Sequence, residues 1–234
     1  MEDMERLDKI LSSSGVCTRR EVRDLVRKRR LLVDGEEPSS PDMKIEPDAE
    51  ILLDGERIET RHRVVAVMNK PAGYVTSTDD PRDRTVMQLL PPRLLRLGLY
   101  PVGRLDKDTT GVLLFTNDGP LAHRLISPKR NVEKEYLVTH TGTVNEEIIE
   151  EFRNGLVLGD GTVCRSALLR KLDENRSLLT ITEGKYHQVK RMMGVKGLSV
   201  TALERVRECS ITLSGLERGE VRELTEAEIE GLTD

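Results

Sequence analysis

The apolar positions near the start of the chain follow helical spacing, and short apolar runs come after them. Residues 6 to 30 carry apolar side chains three and four positions apart, which predicts two helices, the second opened by a capping box at Thr18. The runs at residues 31 to 33 and 51 to 53 each end in Asp-Gly, a sequence typical of tight turns between strands. We therefore expect a small α+β domain over residues 1 to 60.

Beyond a polar linker at residues 59 to 63, the pattern changes to buried strands separated by turns and short helices. The second domain is therefore predicted to cover residues 61 to 234, and its length allows one sizeable core. Met192 and Met193 lie on an apolar helical face and are expected to be core residues. The apolar runs predict strands at residues 64 to 68, 112 to 115, 134 to 139, 178 to 182, 198 to 203 and 210 to 213, and helices at residues 85 to 90, 120 to 126 and 145 to 152.

The composition argues against a membrane protein and against a secreted one. The chain has 234 residues, of which 37% are hydrophobic, and no apolar run approaches the length that crosses a bilayer. Its first residues lack the charged and then apolar segment of a secretory signal. We expect a soluble, cytoplasmic protein.

The cysteines and histidines argue against a disulfide framework and against a metal site. Cys17, Cys164 and Cys209 are odd in number and far apart, so no Cys-x-x-Cys pair is present. The four histidines are equally dispersed and form no His-x-x-x-His pair. We predict that the protein needs no structural metal.

A cluster of positive charge on the predicted second helix is the main candidate for a nucleic-acid contact. The net charge of −4 means that any affinity for RNA has to come from such a local patch. Seven Lys and Arg residues fall between positions 19 and 30, against two acidic ones. A solvated helix face is the alternative, but this density of charge favours contact with a phosphate backbone. At about 100° per residue, one narrow arc contains Arg19, Arg23, Arg27 and Arg30.

Residues 103 to 119 combine a polar loop with a buried strand. The loop holds two carboxylates beside a cation and runs directly into the apolar residues 112 to 115. The strand ends at Asn-Asp-Gly, where Asp118 can cap a helix that contains Pro120 near its start. Asp106 is therefore held on a short loop that is fixed at both ends. By residue chemistry alone it could be a nucleophile, a metal ligand or a turn residue, and the turn is the commonest of these.

The motifs in this region resemble those of the ribosomal pseudouridine synthases. The similarity rests on GRLD at residues 103 to 106, TGVLL at 110 to 114 and TNDG at 116 to 119. The Asn-Lys-Pro that opens the domain in that family is present at residues 69 to 71, and the loop GYVTSTDDP at 73 to 81 resembles the small-subunit branch. The resemblance implies an α+β catalytic domain, with flanking helices around a mixed, mostly antiparallel sheet crossed by a basic cleft.

The same resemblance implies a role for individual side chains. Asp106 would be the nucleophile, and Lys190, in the motif HQVK, would keep it charged, with Val189 packed beside it. Arg104 would fill the space of the extruded base or hold the backbone. Lys70 of the Asn-Lys-Pro motif is expected to contact substrate.

Tyr136 has two interpretations. A single tyrosine on a strand is usually a core residue. Here the chain has no Trp, four Tyr and two Phe, so few rings are available to stack on a base. Its sequence context, KEYLV at residues 134 to 138, matches the tyrosine motif of the family, which implies that Tyr136 stacks on the uracil.

The beginning of the chain resembles the S4-like (alpha-L) RNA-binding domain, which is shared with a small-subunit ribosomal protein. The similarity rests on RLDK at residues 6 to 9, TRRE at 18 to 21 and LVDG at 32 to 35. RLDK repeats residues 104 to 107 letter for letter. Asp8 is nevertheless not expected to be catalytic, because a helical pattern surrounds it and no strand comes after it.

One segment departs from the family pattern. Relatives tend to have an apolar residue and a glycine in the segment after Arg205, where this chain has Glu208 and Cys209. The departure affects the expected strand detail and none of the assigned catalytic positions.

The resemblance implies an enzyme that breaks the N-glycosidic bond of one uridine in ribosomal RNA, rotates the uracil and rejoins it through carbon 5. We predict a small-subunit substrate, 16S ribosomal RNA or an assembly intermediate of that subunit, with no cofactor and a monomeric protein. One alternative is an enzyme of the same class that acts on 23S RNA of the large subunit. The other is a non-enzymatic RNA-binding or ribosome-assembly factor, which the loss of the aspartate, the tyrosine or the basic residue would have favoured.

Overall fold

The structure, a computed structural model, describes residues 4 to 14, 16 to 46, 49 to 58 and 63 to 232. The chain divides into two compact units. The first comprises Met1–Val64 together with Pro91–Leu99, and the second comprises Val65–Leu90 and Tyr100–Asp234. The predicted boundary between residues 60 and 61, with most of the predicted linker, lies outside the described residues, so this boundary stays a prediction.

The described part of the first unit contains three helices and five short strands. The helices are α1 (Leu7–Ser13), α2 (Arg19–Arg27) and α3 (Pro92–Arg96), and the strands are β1 (Glu5–Arg6), β2 (Leu31–Val33), β3 (Lys44–Ile45), β4 (Ile51–Leu53) and β5 (Glu56–Ile58). β1 pairs with β3, and β2, β4 and β5 form an antiparallel sheet in that order. The predicted capping box is confirmed, because Thr18 Oγ1 accepts from Glu21 N while the Glu21 carboxylate accepts from Thr18 N. Leu7, Leu11 and Val22, which predicted the helices, are fully buried in the core of this unit.

The second helix ends earlier than its arginine pattern predicted. Lys28 is the C-terminal cap of α2, and Arg29 has a φ of 51°, in the left-handed region that often ends a helix. Arg30 therefore leads into β2, where its Nε donates a hydrogen bond of 2.8 Å to Asp54 Oδ1. The prediction that Arg30 belongs to the helical stripe was wrong. The arginines of the stripe that do lie on α2, all exposed, are Arg19, Arg23 and Arg27.

The second unit is a sheet of nine strands with helices packed around it. The strands are β6 (Val65–Lys70), β7 (Tyr100–Val102), β8 (Thr110–Thr116), β9 (Lys134–His140), β10 (Leu168–Lys171), β11 (Arg176–Ile181), β12 (Val200–Glu208), β13 (Ile211–Thr212) and β14 (Val221–Glu223). The α-helices are α4 (Gly119–Ile126), α5 (Glu146–Asn154), α6 (Gln188–Gly194) and α7 (Glu226–Glu230), and 3-10 turns lie at Val86–Leu89 and Pro128–Arg130.

The order of the strands is β10-β11-β9-β12-β8-β6-β14, with β13 paired to β12 and β7 paired to β8. β12 and β8 run parallel, and every other pairing described in this sheet is antiparallel. The predicted α+β fold with a mixed, mostly antiparallel sheet is confirmed.

One face of the sheet is covered by helices. Alternate residues of β6 and β8 point to this face, among them Val65 and Val112, and pack against Leu121 and Leu125 of α4 and Ile229 of α7. These residues form one hydrophobic core of the second unit. None of the described helices is long and apolar enough to cross a membrane.

β12 is longer than predicted. The prediction ended this strand at residue 203, before a charged segment. In the structure it continues to Glu208, and both Arg205 and Glu208 are buried, with Arg205 Nη2 3.1 Å from Glu208 Oε2. Charged side chains can be buried in a strand when they neutralise each other. The strands β7, β10 and β14 were not predicted.

β8 lies between β12 and β6 and fixes the loop that precedes it. All of its residues after Thr110 are buried. Gly111 has a φ of 104° and approaches β12 so closely that a Cβ atom would lie 2.1 Å from the carbonyl oxygen of Arg205. Only glycine fits at this point, so the glycine of the TGVLL motif is required by the packing of two parallel strands.

Candidate active site

The loop between β7 and β8, residues 103 to 109, carries Asp106 and is held from inside the protein by Lys70. Lys70 ends β6 and has 0% exposed surface. Its ammonium donates hydrogen bonds to the carbonyl oxygens of Thr109 (2.8 Å), Asp106 (3.1 Å) and Pro71 (3.1 Å), with a longer contact to that of Lys107 (3.4 Å). An ammonium has three donors, and these bonds use all of them. The backbone of the Asp106 loop is therefore tied to the sheet.

The prediction that Lys70 contacts substrate was wrong. A fully buried ammonium with four carbonyl acceptors around its three donors has no donor left for a ligand. Burial lowers the pKa of Lys70 to about 8, and the negative charges of Asp108 and Asp106 limit that shift. Lys70 is a support for the loop, and it gives up its proton at mildly alkaline pH.

A neighbouring loop, residues 73 to 81, braces the Asp106 loop from its other side. The Thr76 hydroxyl donates a hydrogen bond of 2.8 Å to the Leu105 carbonyl and accepts one of 3.1 Å from the Leu105 amide. The Gly73 amide donates to the Lys107 carbonyl at 2.8 Å. The loop that resembles the small-subunit branch is thus in direct contact with the residues on both sides of Asp106.

The carboxylate of Asp106 faces the start of α6. Its Oδ2 lies 3.0 Å from Lys190 Nζ, and its Oδ1 lies 3.5 Å from His187 Nε2. Lys190 also donates a hydrogen bond of 2.6 Å to Asp108 Oδ1, so one ammonium joins both carboxylates of the loop. Burial disfavours the charged form of Lys190, but its bonds to Asp108 and Asp106 outweigh burial and raise its pKa. The pairing of Lys190 with Asp106 that the resemblance implied is present.

A buried polar network sets the start of α6 and therefore the position of Lys190. Gln188 Nε2 donates a hydrogen bond of 2.7 Å to Glu183 Oε1, and Gln188 Oε1 accepts one of 2.9 Å from the Lys185 amide. His187, which caps the helix, has a φ of 47°. Histidine adopts this left-handed conformation more readily than bulky or branched residues. The turn thus aims both His187 and Lys190 at Asp106.

Tyr136 lies on β9 directly opposite Arg205 of β12. Only 7% of Tyr136 is exposed, and its phenol is hydrogen-bonded to the guanidinium of Arg205. Arg205 is itself held by a hydrogen bond of 2.7 Å from its Nε to the Val112 carbonyl, and by its ion pair with Glu208. Burial raises the pKa of the Tyr136 phenol, and the charge of Arg205 offsets part of that effect. The phenol is therefore protonated at neutral pH.

Asp106 and Tyr136 line one cavity of about 670 Å³. A smaller cavity of about 80 Å³ is lined by the same two residues and by Val189. Arg104 is exposed at the wall of both, and no described residue forms an ion pair with it. The structure thus brings Asp106, Tyr136, Val189 and Arg104 around one space, with Lys190 bonded to Asp106. The basic residues along the larger cavity are Arg104, Lys107, Lys134, Lys185, His187 and Arg205.

Four residues of this site have contacts that the sequence did not predict: Asp108, His187, Arg205 and Glu208. Asp108 and His187 are within three residues of Asp106 and Lys190 in the sequence. Their closeness to these two residues could have indicated that they belong to the site. Arg205 and Glu208 are three residues apart with opposite charge, but charged residues normally indicate solvent exposure, and nothing local marks them as buried.

The arginines of the predicted stripe lie in the first unit, on α2. Arg27 forms an ion pair with Asp24 at 2.7 Å, while no described residue forms one with Arg19 or Arg23. All three side chains are exposed. Their role in binding RNA stays a prediction.

The three cysteines are free thiols. Within the described residues, no group of three or more His, Cys, Asp or Glu side chains could hold a metal ion. That the protein needs no metal and no cofactor stays a prediction.

Comparison with protein families identifies the kind of protein that carries this site. The model of the RNA pseudouridylate synthase family matches residues 64–194, which include Asp106, Tyr136 and Lys190. The chain belongs to the RNA pseudouridine synthase family. The S4 domain matches residues 5–51 of this pseudouridine synthase. The predicted enzyme class, an isomerase, and the predicted S4-like RNA-binding domain are confirmed.

Several relatives match this pseudouridine synthase over nearly their whole length. An uncharacterised RNA pseudouridine synthase of Bacillus subtilis is 40% identical over 98% of each chain. The ribosomal small subunit pseudouridine synthase A of Escherichia coli is 39% identical over 96% of this chain and 98% of its own. The ribosomal large subunit pseudouridine synthase B of Bacillus subtilis is 33% identical over 98% and 96%. A crystal structure of a pseudouridylate synthase superposes with a TM-score of 0.69, at 37% identity over 97% of this chain and 99% of the other.

Proposed function

We propose that the protein isomerises one uridine of small-subunit ribosomal RNA to pseudouridine, with Asp106 as the nucleophile. The observation that carries this proposal is the position of the Asp106 carboxylate, in a cavity lined by basic residues and 3.0 Å from the Lys190 ammonium. The ammonium supplies a fixed positive charge beside the nucleophile and orients it.

The small-subunit substrate is supported by similarity. The chain is 39% identical to the small subunit pseudouridine synthase A of Escherichia coli and 33% identical to the large subunit pseudouridine synthase B of Bacillus subtilis. The loop at residues 73 to 81, which resembles the small-subunit branch, contacts the Asp106 loop directly. A large-subunit substrate remains the alternative, with weaker support.

The reaction exchanges one bond of the uridine for another. The bond from N1 to the ribose anomeric carbon breaks, a bond from carbon 5 to that carbon forms, carbon 5 loses its proton and N1 gains one. Asp106 can attack the anomeric carbon or the uracil ring, and in either route the carboxylate is released again at the end. Atoms and electrons balance within the nucleotide, so the chemistry calls for no cofactor.

The target base has to leave its stack before Asp106 can reach it, at a cost of a few kcal/mol. Tyr136 lines the cavity with a ring held rigid by Arg205, which suits it to stack on the extruded uracil. Arg104 is exposed at the active-site cavity. It is suited to bind the RNA backbone or to fill the space that the extruded base leaves in the stack. Val189 packs beside the carboxylate in the smaller cavity.

The S4 domain is proposed to anchor the substrate. Arg19, Arg23 and Arg27 are exposed on α2 and would bind phosphates of ribosomal RNA or of a small-subunit assembly intermediate. We further propose that the protein acts as a monomer, in the cytoplasm, and without metal or cofactor.

The test is a map of pseudouridine in ribosomal RNA from cells with and without the gene. One uridine of 16S RNA is expected to lose its modification in the absence of the protein and to regain it with the wild-type gene but not with Asp106→Asn. Loss of a modification in 23S RNA instead would mean that the substrate is large-subunit RNA. An unchanged map would contradict the proposed activity on ribosomal RNA.

A further inference from the structure

A second cavity, of about 490 Å³, lies in the catalytic unit and plays no part in the chemistry described above. Its lining includes residues 124, 125 and 130 to 133, the end of β12 and the segment after α7. Asp106, Tyr136 and Arg104 are not among the residues that line it. Its lining has an apolar part, which consists of Leu125, Val132 and Leu232, and a polar part.

The polar side of this second cavity has an excess of positive charge. Its charged residues are Arg124, Arg130, Arg207 and Glu133. Arg207 is neutralised, since its Nη2 lies 3.0 Å from Glu133 Oε2 and its Nε lies 3.8 Å from Glu135 Oε2. The remaining two guanidinium groups have no carboxylate partner among the residues that the structure describes.

Within the described residues, neither Arg124 nor Arg130 is neutralised, so both can bind an anion. The Nε of Arg124 is buried and has no hydrogen-bond partner in the described part of the chain. A buried donor without a partner is costly, and a bound acceptor would remove that cost. Arg130 is exposed at the rim. Guanidinium groups bind phosphate oxygens through paired hydrogen bonds, so the chemistry fits a phosphodiester better than a neutral ligand.

The second cavity and the active-site cavity are lined by adjacent residues of the chain at three places. Ile126 and Lys134 line the active-site cavity, while Leu125 and Glu133, their neighbours in sequence, line the second one. β12 divides in the same way, with Glu208 on the first cavity and Cys209 on the second. The two cavities are therefore neighbours in the structure, on either side of these residues.

The wall between the two cavities is held in place before any ligand binds. Arg165 Nη1 donates hydrogen bonds to the Pro128 carbonyl (2.8 Å) and to Asn131 Oδ1 (2.7 Å). The Cys209 amide donates to the Glu133 carbonyl at 2.9 Å. A preformed wall lowers the entropy lost when a ligand is ordered against it.

We propose that this second cavity binds a backbone phosphate of the same RNA strand that carries the target uridine, with Arg124 and Arg130 as the donors. Val132, the partly exposed apolar residue of the lining, would contact the adjoining ribose. This subsite rests on RNA being the substrate, as in the proposed function, and it adds a contact with a nucleotide beside the one that reacts.

The test compares Arg124→Gln/Arg130→Gln with Arg170→Gln/Lys171→Gln. The control removes two positive charges from exposed positions of β10, at the edge of the sheet. RNA affinity is measured against salt concentration, and kcat and KM are measured on a ribosomal RNA transcript. One phosphate contact contributes about 0.7 to the salt slope for single-stranded RNA. The cavity variant is expected to lose about that much slope and to have a raised KM with an unchanged kcat, and the control is expected to match wild type.

Substrate length provides the second measurement. Transcripts that end next to the target uridine lack the phosphate that the second cavity would hold. Wild type should bind the longer RNA more tightly than the truncated one, and the cavity variant should lose that difference. Arg130→Gln alone should lose a smaller part of this difference in affinity. Because Arg130 is exposed, this single variant is expected to fold even if the double variant does not.

Three results would overturn the proposal. One is a folded cavity variant with the salt slope and KM of the control. Another is an unchanged dependence on substrate length. The third is thermal stabilisation of wild type, but not of the variant, by inorganic phosphate, with no effect on RNA binding, which would make the cavity a site for a free anion. If the wild-type protein bound RNA through this cavity but modified no ribosomal uridine, the subsite would stand and the proposed function would fail.

Discussion

The tetrapeptide Arg-Leu-Asp-Lys occurs twice in the chain, and its two aspartates have different partners. Asp8 lies in the first turn of α1, where it is 5% exposed. Both of its carboxylate oxygens are bonded by the guanidinium two residues before it, with Arg6 Nε to Oδ1 at 3.0 Å and Nη2 to Oδ2 at 2.8 Å. Each oxygen of this carboxylate thus has a local partner.

Asp106 has no such local partner. Arg104 remains exposed, and Lys107 turns away to Asp83 at 2.6 Å. The carboxylate is met instead by Lys190, from α6, and it lines a cavity. Its side chain is 28% exposed, against 7% for Asp8.

The two copies differ because the chain continues differently after each of them. The first copy continues as helix α1, and Asp8 lies in the first turn of that helix. The second copy leads into Gly111 and a buried strand, so the loop projects from the sheet and its carboxylate faces another element. A four-residue match is therefore uninformative without the structure that comes after it.

Among changes that leave Asp106 itself in place, removal of its partner Lys190 should have the largest effect. Lys190→Met leaves Asp106 without its ammonium, and we expect kcat to fall by about 100-fold, the loss typical when a fixed electrostatic group is removed from an active site. Lys190→Arg should recover part of the rate. Lys196→Met is the matched control, because it removes a Lys–carboxylate pair of 2.6 Å, with Glu151, outside the cavity. Single-turnover rates on one ribosomal transcript measure all three. Equal rates for the two Met variants would remove Lys190 from the mechanism.

The stacking role of Tyr136 predicts the next largest effect. Tyr136→Ala should lower kcat/KM by about 10- to 100-fold, since stacking on a base contributes about 1–3 kcal/mol. Tyr136→Phe keeps the ring and loses the hydroxyl that bonds Arg205. A large loss with Phe as well would mean that the hydroxyl takes part in proton handling. If Tyr136→Ala turned over RNA like wild type, Tyr136 would be a core residue only.

Lys70 should make the activity and the stability of the Asp106 loop depend on pH. Only the second copy of the tetrapeptide is hydrogen-bonded to this buried ammonium. Its pKa is about 8 in the folded protein, against an ordinary value of 10.5. Between those values the unfolded chain holds the proton and the folded protein has lost it, so the unfolding free energy should rise with pH. The neutral amine has one donor fewer for the loop, so kcat should fall several-fold over the same range. Denaturant titrations and rate profiles from pH 7 upward check both. A kcat that stayed flat above pH 8 would show that the loop does not depend on this ammonium.

Asp8→Asn should affect stability and leave the chemistry alone. The hydrogen bonds from Arg6 lower the pKa of Asp8, so this carboxylate stabilises the fold above its unfolded pKa and loses that contribution as pH falls through its folded pKa. We expect a loss of about 1–3 kcal/mol at neutral pH, typical of a buried hydrogen bond to a charged group. The difference from wild type should shrink in acid. Urea unfolding at pH 7 and at pH 3 measures it, and an equal difference at both would contradict a pairing with Arg6.

The arginines of the first unit are expected to affect RNA binding and to change kcat little. Arg19→Gln/Arg23→Gln/Arg27→Gln should raise KM on a ribosomal substrate and flatten the salt dependence of binding, by about 0.7 to 0.9 per lost phosphate contact. kcat should be little changed, because this surface binds ground state and transition state alike. A folded variant with normal binding and a collapsed kcat would give the S4 domain another role.

The sequence predicted most of the elements around Asp106, because apolar runs and turn residues act locally. The buried strand β8, the cap at Asp118 and the capping box of α2 all depend on neighbours a few residues away. Tyr136 and Lys190 were identified by resemblance, and the structure places both at the Asp106 site.

The features that could not be predicted depend on partners that are far apart in the chain. Its motif suggested that Lys70 binds substrate. The folded chain surrounds its ammonium with backbone carbonyl oxygens, so Lys70 is a buried support for the loop. Arg205 and Glu208 are charged and would be placed in solvent by any local rule, yet they neutralise each other beneath Tyr136. Helix α2 stops before Arg30 because Arg29 adopts a left-handed conformation without a glycine to signal it.

The most direct test of this account is the rate of pseudouridine formation by Asp106→Asn and Asp8→Asn on the same ribosomal RNA transcript. Each change replaces one oxygen of a carboxylate by an amide nitrogen in an identical tetrapeptide, so side-chain volume is matched. We predict that Asp106→Asn binds the RNA but forms no measurable pseudouridine, and that folded Asp8→Asn retains the wild-type rate. Activity of Asp106→Asn within tenfold of wild type, or a reversal of the two outcomes, would contradict the assignment of Asp106 as the nucleophile.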